Sequence, residues 1–417
     1  MGTRLEFPHD TGVDLTGSAR MVVPVITNLW GRTMLGRWSA RGSAAALVAV
    51  LGLGTAGAAE AVPVGPHPVP TWQTNGRVNV IVVSGNTVYM GGQFTALRPP
   101  GAAAGSGDVT RNHAAAVSLT TGALLPWNPN VNNTVRAIQV VKSTVYLGGV
   151  FTQVGGASHA RIAAVNATTG APLAGFKASA SGEVFGLASG GGSLFLGGGF
   201  GTVDGQVRAN MAAVNPTTGA LLPWSPSVNG QVRSIRLLGY PRMVIGGSFT
   251  SINGASANHI GALDGDTGKS LPWKDHTAYN VIGLASDANG VYVAGAGGGG
   301  NFAAFDPMTG AQKWLGGTNG NVQAIGVVGG EVYVGGHFHV YCGPQHGQHT
   351  CTTQIPRDKL LSVDEATGNL TSWDPSANSA LGIFALRGVG PSGDVLAGGD
   401  FTSIGQRKQQ GYAQFTP

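Results

Sequence analysis

Charge is what this 417-residue chain has least of: only 10% of it is Asp, Glu, Lys or Arg, less than half the quarter usual in soluble proteins. With 42% hydrophobic residues, that scarcity excludes an intrinsically disordered chain, which needs charge and little apolar surface to stay solvated. The formal net charge is +5, but the basic residues are scattered singly, with no run longer than Arg407-Lys408 in the repetitive part of the chain. That weak field excludes a nucleic-acid stripe and a polybasic membrane patch. No apolar run approaches the roughly 20 residues that span a bilayer, so no transmembrane anchor is expected. Cysteine is limited to Cys342 and Cys351. Catalytic signatures are missing too: there is no Gly-x-Ser-x-Gly elbow, no His-Glu-x-x-His and no phosphate loop.

Glycine is what the chain has in excess, with 70 residues against a norm of about 7%. They do not recur every third residue, which rules out a collagen. Many glycines and few strong helix formers point instead to short strands joined by tight turns, an all-β protein.

Residues 1–61 read as an N-terminal extension and signal peptide. Arg32, Arg37 and Arg41 precede the apolar run Ala44 to Leu53, and Ala59-Glu60-Ala61 fits a small-x-small cleavage site. The expected location is therefore secreted or cell-surface, with Val62 as the mature N-terminus.

The remaining sequence repeats. VYMGGQF ending at Phe94 recurs as VYLGGVF at Phe151, LFLGGGF at Phe200, MVIGGSF at Phe249, VYVGGHF at Phe338 and VLAGGDF at Phe401, with a degraded copy, VYVAGAG, ending at Gly297. A second signature follows most copies: an AAV-like triplet, a Thr-Gly turn and an aromatic, as in AAVSLTTGALLPW ending at Trp127 and AAVNPTTGALLPW ending at Trp224. The turn glycines Gly122, Gly170, Gly219, Gly268, Gly310 and Gly368 are spaced 48, 49, 49, 42 and 58 residues apart, the length of a four-stranded propeller blade. After the last GGDF the chain supplies Tyr412 to Phe415 and stops before the aromatic strand, which Val69-Pro70-Thr71-Trp72 can supply from the other end. This offset predicts a seven-bladed β-propeller over 62–417, a single domain closed by the N-terminal strand completing the last blade.

Within the second unit, strand a is expected at Val135–Val140, b at Thr144–Phe151, c at Arg161–Asn166 and d at Ala171–Phe176. The GG pair of strand b marks a close approach of neighbouring blades, and the recurrent Trp and Phe provide packing between blades. Strand a should line a central channel, with Asn79, Arg136, Phe185, Arg233, Ile282, Gln323 and Gly382 at equivalent positions. The arginines favour an anionic or polyhydroxyl ligand; the alternative is a water-filled channel. Asn132, Asn229, Asn319 and Asn378, like Asn75, precede strand a, either as turn caps or as a ring of amides around one mouth. The b–c and d–a loops share this face, which carries the candidate ligand site.

The stretch HFHVYCGPQHGQHTC places His337, His339, His346 and His349 around the two cysteines. In an exported protein, Cys342 and Cys351 most simply form a disulfide; zinc or copper on the histidines is the alternative. Asp264, Asp306 and Asp364 precede the Thr-Gly turns and serve them.

The combination of GGxF, AAVNxxTGxLLPW and NGxV over residues 70–417 resembles the bacterial exported β-propeller domain of unknown function related to delta-60 repeats. The resemblance implies a secreted or surface propeller and brings no catalytic residues with it. ALDGDTGKSLPW and AAFDPMTGAQKW are also similar to the Ala-x-Asp-x-x-x-Gly-x-x-x-Trp motif of quinoprotein propellers, although most copies place Trp one residue later and the adjacent cysteine pair is absent. The function expected is a monomeric binding scaffold for glycan or extracellular protein, with no cofactor expected and a metal ion as the one candidate. The alternatives are an extracellular enzyme (a polysaccharide lyase or hydrolase, or a quinone-dependent dehydrogenase) and a metal-binding surface protein.

Overall fold

The computed structural model describes residues 63–297, 299–344, 351 and 353–417, and every regular element among them is a β-strand. The signal peptide read from residues 1–61 lies outside the described residues, as do His346 and His349.

One pattern recurs along the chain. An inner strand pairs antiparallel with a middle strand that ends on the GG pair, and the middle strand pairs with the Ala-rich strand. The first such sheet is Val78–Ser84, Thr87–Gly92 and Ala114–Ser118. The second is Val135–Val141, Thr144–Gly149 and Ile162–Asn166. The inner strands that follow are Glu183–Gly190, Val232–Leu237, Asn280–Ser286, Val322–Val328 and Ile383–Gly388, each with the same partners in the same order. Each inner strand packs against the next, and Val78–Ser84 packs against both Val135–Val141 and Ile383–Gly388.

Close packing of the sheets requires the glycines. A Cβ on Gly148 would stand 2.7 Å from Val184 Cγ1 of the following inner strand, and one on Gly246 would stand 2.3 Å from Val281 Cγ1. The recurrent aromatics fill the space further out, each burying on the order of 150–250 Å². Trp127 is fully buried, edge-on to Tyr89 at 5.0 Å, and its indole Nε1 donates to the carbonyl of Asn166 in the next sheet's turn at 3.0 Å. Trp224 donates likewise to Asp264, and Trp314 to Glu365. Trp373 donates to Gly65, in the N-terminal segment. In the same region Gly65 donates to Thr416 through the backbone, and Val69 is bridged to Gln414.

The fourth strand differs from expectation. In place of a strand over Ala171–Phe176, the second unit has a single bridge, Val165 to Pro172, and three other units have one bridge each. Proline, which cannot donate to a ladder, lies in three of these segments as Pro126, Pro172 and Pro223, whereas the segment at Leu370 has none. Gln312–Thr318, which lacks proline, forms a full seven-residue strand. Its outer edge is extended by Val340–Pro344 and Ile355–Pro356, from the histidine-rich insertion. There Cys342 and Cys351 are joined by a disulfide, so neither sulfur is a thiolate ligand.

The Thr-Gly turns work as local chemistry requires. Gly170 sits at φ 79°, the left-handed region open to glycine, and the Asn166 Oδ1 accepts from the backbone N–H of Thr168 and Thr169. Asp264, Asp306 and Asp364 do the same for their turns. Hydrogen bonds from Thr267 and Thr309 hold the Asp264 and Asp306 carboxyls below the usual range.

Candidate functional site

The inner strands bound a cavity of about 500 Å³. Each carries a β-bulge near its start: register slips between Val78 and Val80, Val135 and Ala137, Val184 and Gly186, Val232 and Ser234, Val281 and Gly283, Val322 and Ala324, and Ile383 and Ala385. A bulge leaves one residue unpaired and re-aims its side chain. The residues so placed are Asn79, Arg136, Phe185, Arg233, Ile282, Gln323 and Phe384, and all line the cavity.

Phe384 replaces the expected Gly382. In the last unit the turn is two residues longer, so Asn378 lies five residues before the buried Ile383, where Asn319 lies three before Val322. Leu381, which spacing alone would put in the strand, is 53% exposed. The extra residues are held by the Asp400 carboxylate, which accepts from the Leu381 and Gly382 N–H groups and the Ser379 hydroxyl.

The arginines at this end are largely committed within the chain. Arg136 Nε lies 2.6 Å from Glu183 Oε1, with both side chains roughly a quarter to a third exposed. Arg233 stands over the Phe185 ring, 5.0 Å from its centroid, and donates through Nη2 to Gln231 Oε1 at 3.0 Å. Burial lowers its pKa from the ordinary arginine value; Glu183 opposes that shift and Arg136 reinforces it. Arg77, which sequence reasoning passed over, lies 4.4 Å over Phe384 and donates to Asn79 Oδ1 at 2.9 Å. Asn79 in turn donates to the Val135 carbonyl. Gln323 differs: its buried Oε1 has no hydrogen-bond partner. The wall thus offers cation-backed aromatic faces and one amide oxygen without a hydrogen-bond partner.

The other asparagines are engaged elsewhere. Asn132 Oδ1 accepts from the Thr152 and Gln153 N–H groups and its Nδ2 donates to Thr152 Oγ1. Asn229 and Asn378 make the same three bonds in their units, and Asn319 accepts from His339 and Val340. These amides tie the d–a turn to the b–c connector, and none lines the central cavity.

His337 and His339 are both exposed. His339 Nδ1 lies 2.6 Å from Asp358 Oδ1, and its Nε2 lies 3.0 Å from Lys359 Nζ. Among the described residues no three His, Cys, Asp or Glu side chains are grouped to hold a metal ion.

The family model described as outer membrane protein assembly factor BamB matches residues 158–399, more than half of the chain. This chain belongs to the BamB family. Its repeats are those of a propeller, and solved propellers share the fold. The RRP9 WD40 repeats superpose with a TM-score of 0.56 at 11% identity, over 85% of this chain and 99% of theirs. U3-55K gives 0.54 at 11%, over 84% and 100%, and the WD40 propeller domain of Doa1 gives 0.53 at 12%, over 84% and 96%. No curated protein matches the chain in sequence. At such identities the likeness is one of fold, and the fold of this BamB-family chain is an all-β propeller. The delta-60 likeness rests on the repeat motifs alone. Among the described residues no helix is long and apolar enough to cross a membrane.

Proposed function

We propose that the chain is an exported binding scaffold that takes a cell-envelope protein or a glycan on the face formed by the b–c and d–a loops. The observation that carries this reading is the bulge layer of the cavity: one scaffold position repeated in every inner strand and occupied by seven side chains of five kinds. Symmetry in the backbone with asymmetry in the side chains is how a repeat fold acquires one specific site. Arg233 backed by Phe185, the unpaired amide of Gln323, and Arg136 are the residues assigned to the ligand. Asn79, Asn132, Asn229, Asn319 and Asn378 shape the rim. The matched family is described as an outer membrane protein assembly factor, which favours the envelope protein of the two ligand classes.

In this reading residues 62–417 form one propeller of seven blades, and the N-terminal strand completes the last. The Val69–Gln414 bridge and the packing of Val78–Ser84 against Ile383–Gly388 support that closure. Residues 1–61 are then the signal peptide, and N-terminal sequencing of exported protein should begin at Val62.

The test is saturable binding to immobilised envelope proteins and glycans. Arg233→Ala should weaken the interaction at least about tenfold, as loss of a charged hydrogen-bonding group does. Absence of saturable binding, or binding indifferent to Arg233→Ala, would sink the reading.

A further inference from the structure

The inner strands carry a second arginine layer that no repeat motif announces. Arg236 and Arg387 each lie three residues beyond the bulge residue of their strand, Arg233 and Phe384. At the same step the two inner strands between them in sequence have Ala285 and Gly326. These four residues line a second cavity of about 320 Å³ towards the far end of the strands, which shares Arg236, Ile325, Leu386 and Arg387 with the wall of the first. With only a methyl group and a hydrogen between them, the two guanidinium groups flank open space.

Neither cation is neutralised. Arg387 has no hydrogen-bond or ion-pair partner among the described residues, and Arg236 reaches only the carbonyl of its neighbour Ile235, at 3.3 Å. The one carboxylate lining the cavity is Asp287, whose Oδ1 already accepts from Asn289 N–H, Gly290 N–H and the Tyr292 hydroxyl. Burial, reinforced by Arg387, lowers the Arg236 pKa to about 10, which still leaves both groups charged at neutral pH. Arg236 is half-buried and Arg387 exposed; like charges held side by side without a counter-ion repel, and an anion between them relieves that repulsion while engaging the planar donor forks of both.

We propose that Arg236 and Arg387 form an oxyanion site that holds a phosphate or carboxylate group of a small ligand in this cavity. Arg236 and Arg387 share the central cavity wall with Arg233 and Gln323 but are not among the residues assigned to the loop-face ligand, so variants of the two sets tell the sites apart.

The experiment is calorimetric titration of the full chain with inorganic phosphate and, separately, acetate, at constant ionic strength set with sodium chloride. Saturable binding of at least one is expected, weakened about tenfold or more by Arg236→Gln and by Arg387→Gln, and unchanged by Arg233→Ala. The stronger of the two anions identifies the group the site prefers. A second measurement needs no variant: phosphate or acetate should slow dicarbonyl modification of Arg387 several-fold, mapped by mass spectrometry, and leave the exposed Arg407 unaffected. No saturable heat from either anion, equal affinity in the glutamine variants, or equal reactivity of Arg387 with and without the anions would overturn the proposal.

Discussion

The two ends of the inner strands are built from the same repeat and behave as opposites. At the start, each strand bulges and packs against glycine, and its polar side chains mostly find partners: Arg136 with Glu183, Arg233 with Gln231, Arg77 with Asn79. Three residues further on, the packing loosens to Ala285 and Gly326, and two arginines face a cavity without a free carboxylate. Cationic residues thus mean different things by position: partnered groups shaping a wall at one end, unspent charge at the other.

Steric substitution should expose the contrast most strongly. A Cβ on Gly247 would fall 1.9 Å from the Gln231 carbonyl oxygen, whereas one on Gly326 would meet the Arg387 backbone at 3.4 Å. Gly247→Ala should therefore cost about 3 kcal/mol, read from urea midpoints at constant m-value, and Gly326→Ala should stay within about 0.5 kcal/mol. Equal losses would erase the distinction.

Charge removal comes next, and its sign should differ between the ends. Glu183→Gln strands Arg136 and should lower stability by about 1 kcal/mol, an effect reduced by salt because the pair is partly exposed. Arg387→Gln relieves Arg236 and should raise stability slightly, by about 0.5 kcal/mol or less, in low salt and without added phosphate. Thermal melts at two salt concentrations would decide it.

The smallest effect is a pH dependence of the packed end. His113 and His259 sit at positive φ just before their Ala-rich strands, and burial lowers both pKa values, opposed at His113 by its hydrogen bond to the Gly92 carbonyl. The unfolded chain binds protons from about pH 6.5 downward, before these folded histidines do. Their stabilisation is thus complete above that pH and declines as pH falls toward the lower folded pKa values. His259→Asn, the residue type already at the matching Asn210, should flatten the stability profile between pH 7.5 and 5.5 in denaturant titrations.

The repeat made the sheet order, the Thr-Gly turns and the packing role of Trp127 and Trp224 readable without coordinates, because each is a local requirement repeated many times. Arg136 and Arg233 could be placed on the cavity wall for the same reason. Phe384 could not: a two-residue extension held by Asp400 shifts the last strand, and spacing alone put Gly382 there. The prolines were visible in LLPW, yet a fourth strand reduced to a single bridge was not, because it depends on which face of the ladder needs a donor. Arg236 and Arg387 carried no signal, being 151 residues apart and outside every motif.

Sequence by itself determined that this chain builds a propeller from short sheets of glycine, alanine and aromatic residues, since turn φ angles, strand alternation and blade length are properties of neighbours along the chain. Only the tertiary structure decided which charges are spent and which remain open. Pairing depends on distances between strands that lie far apart in sequence, and the energy of a charge is set by what surrounds it, not by its place in a motif.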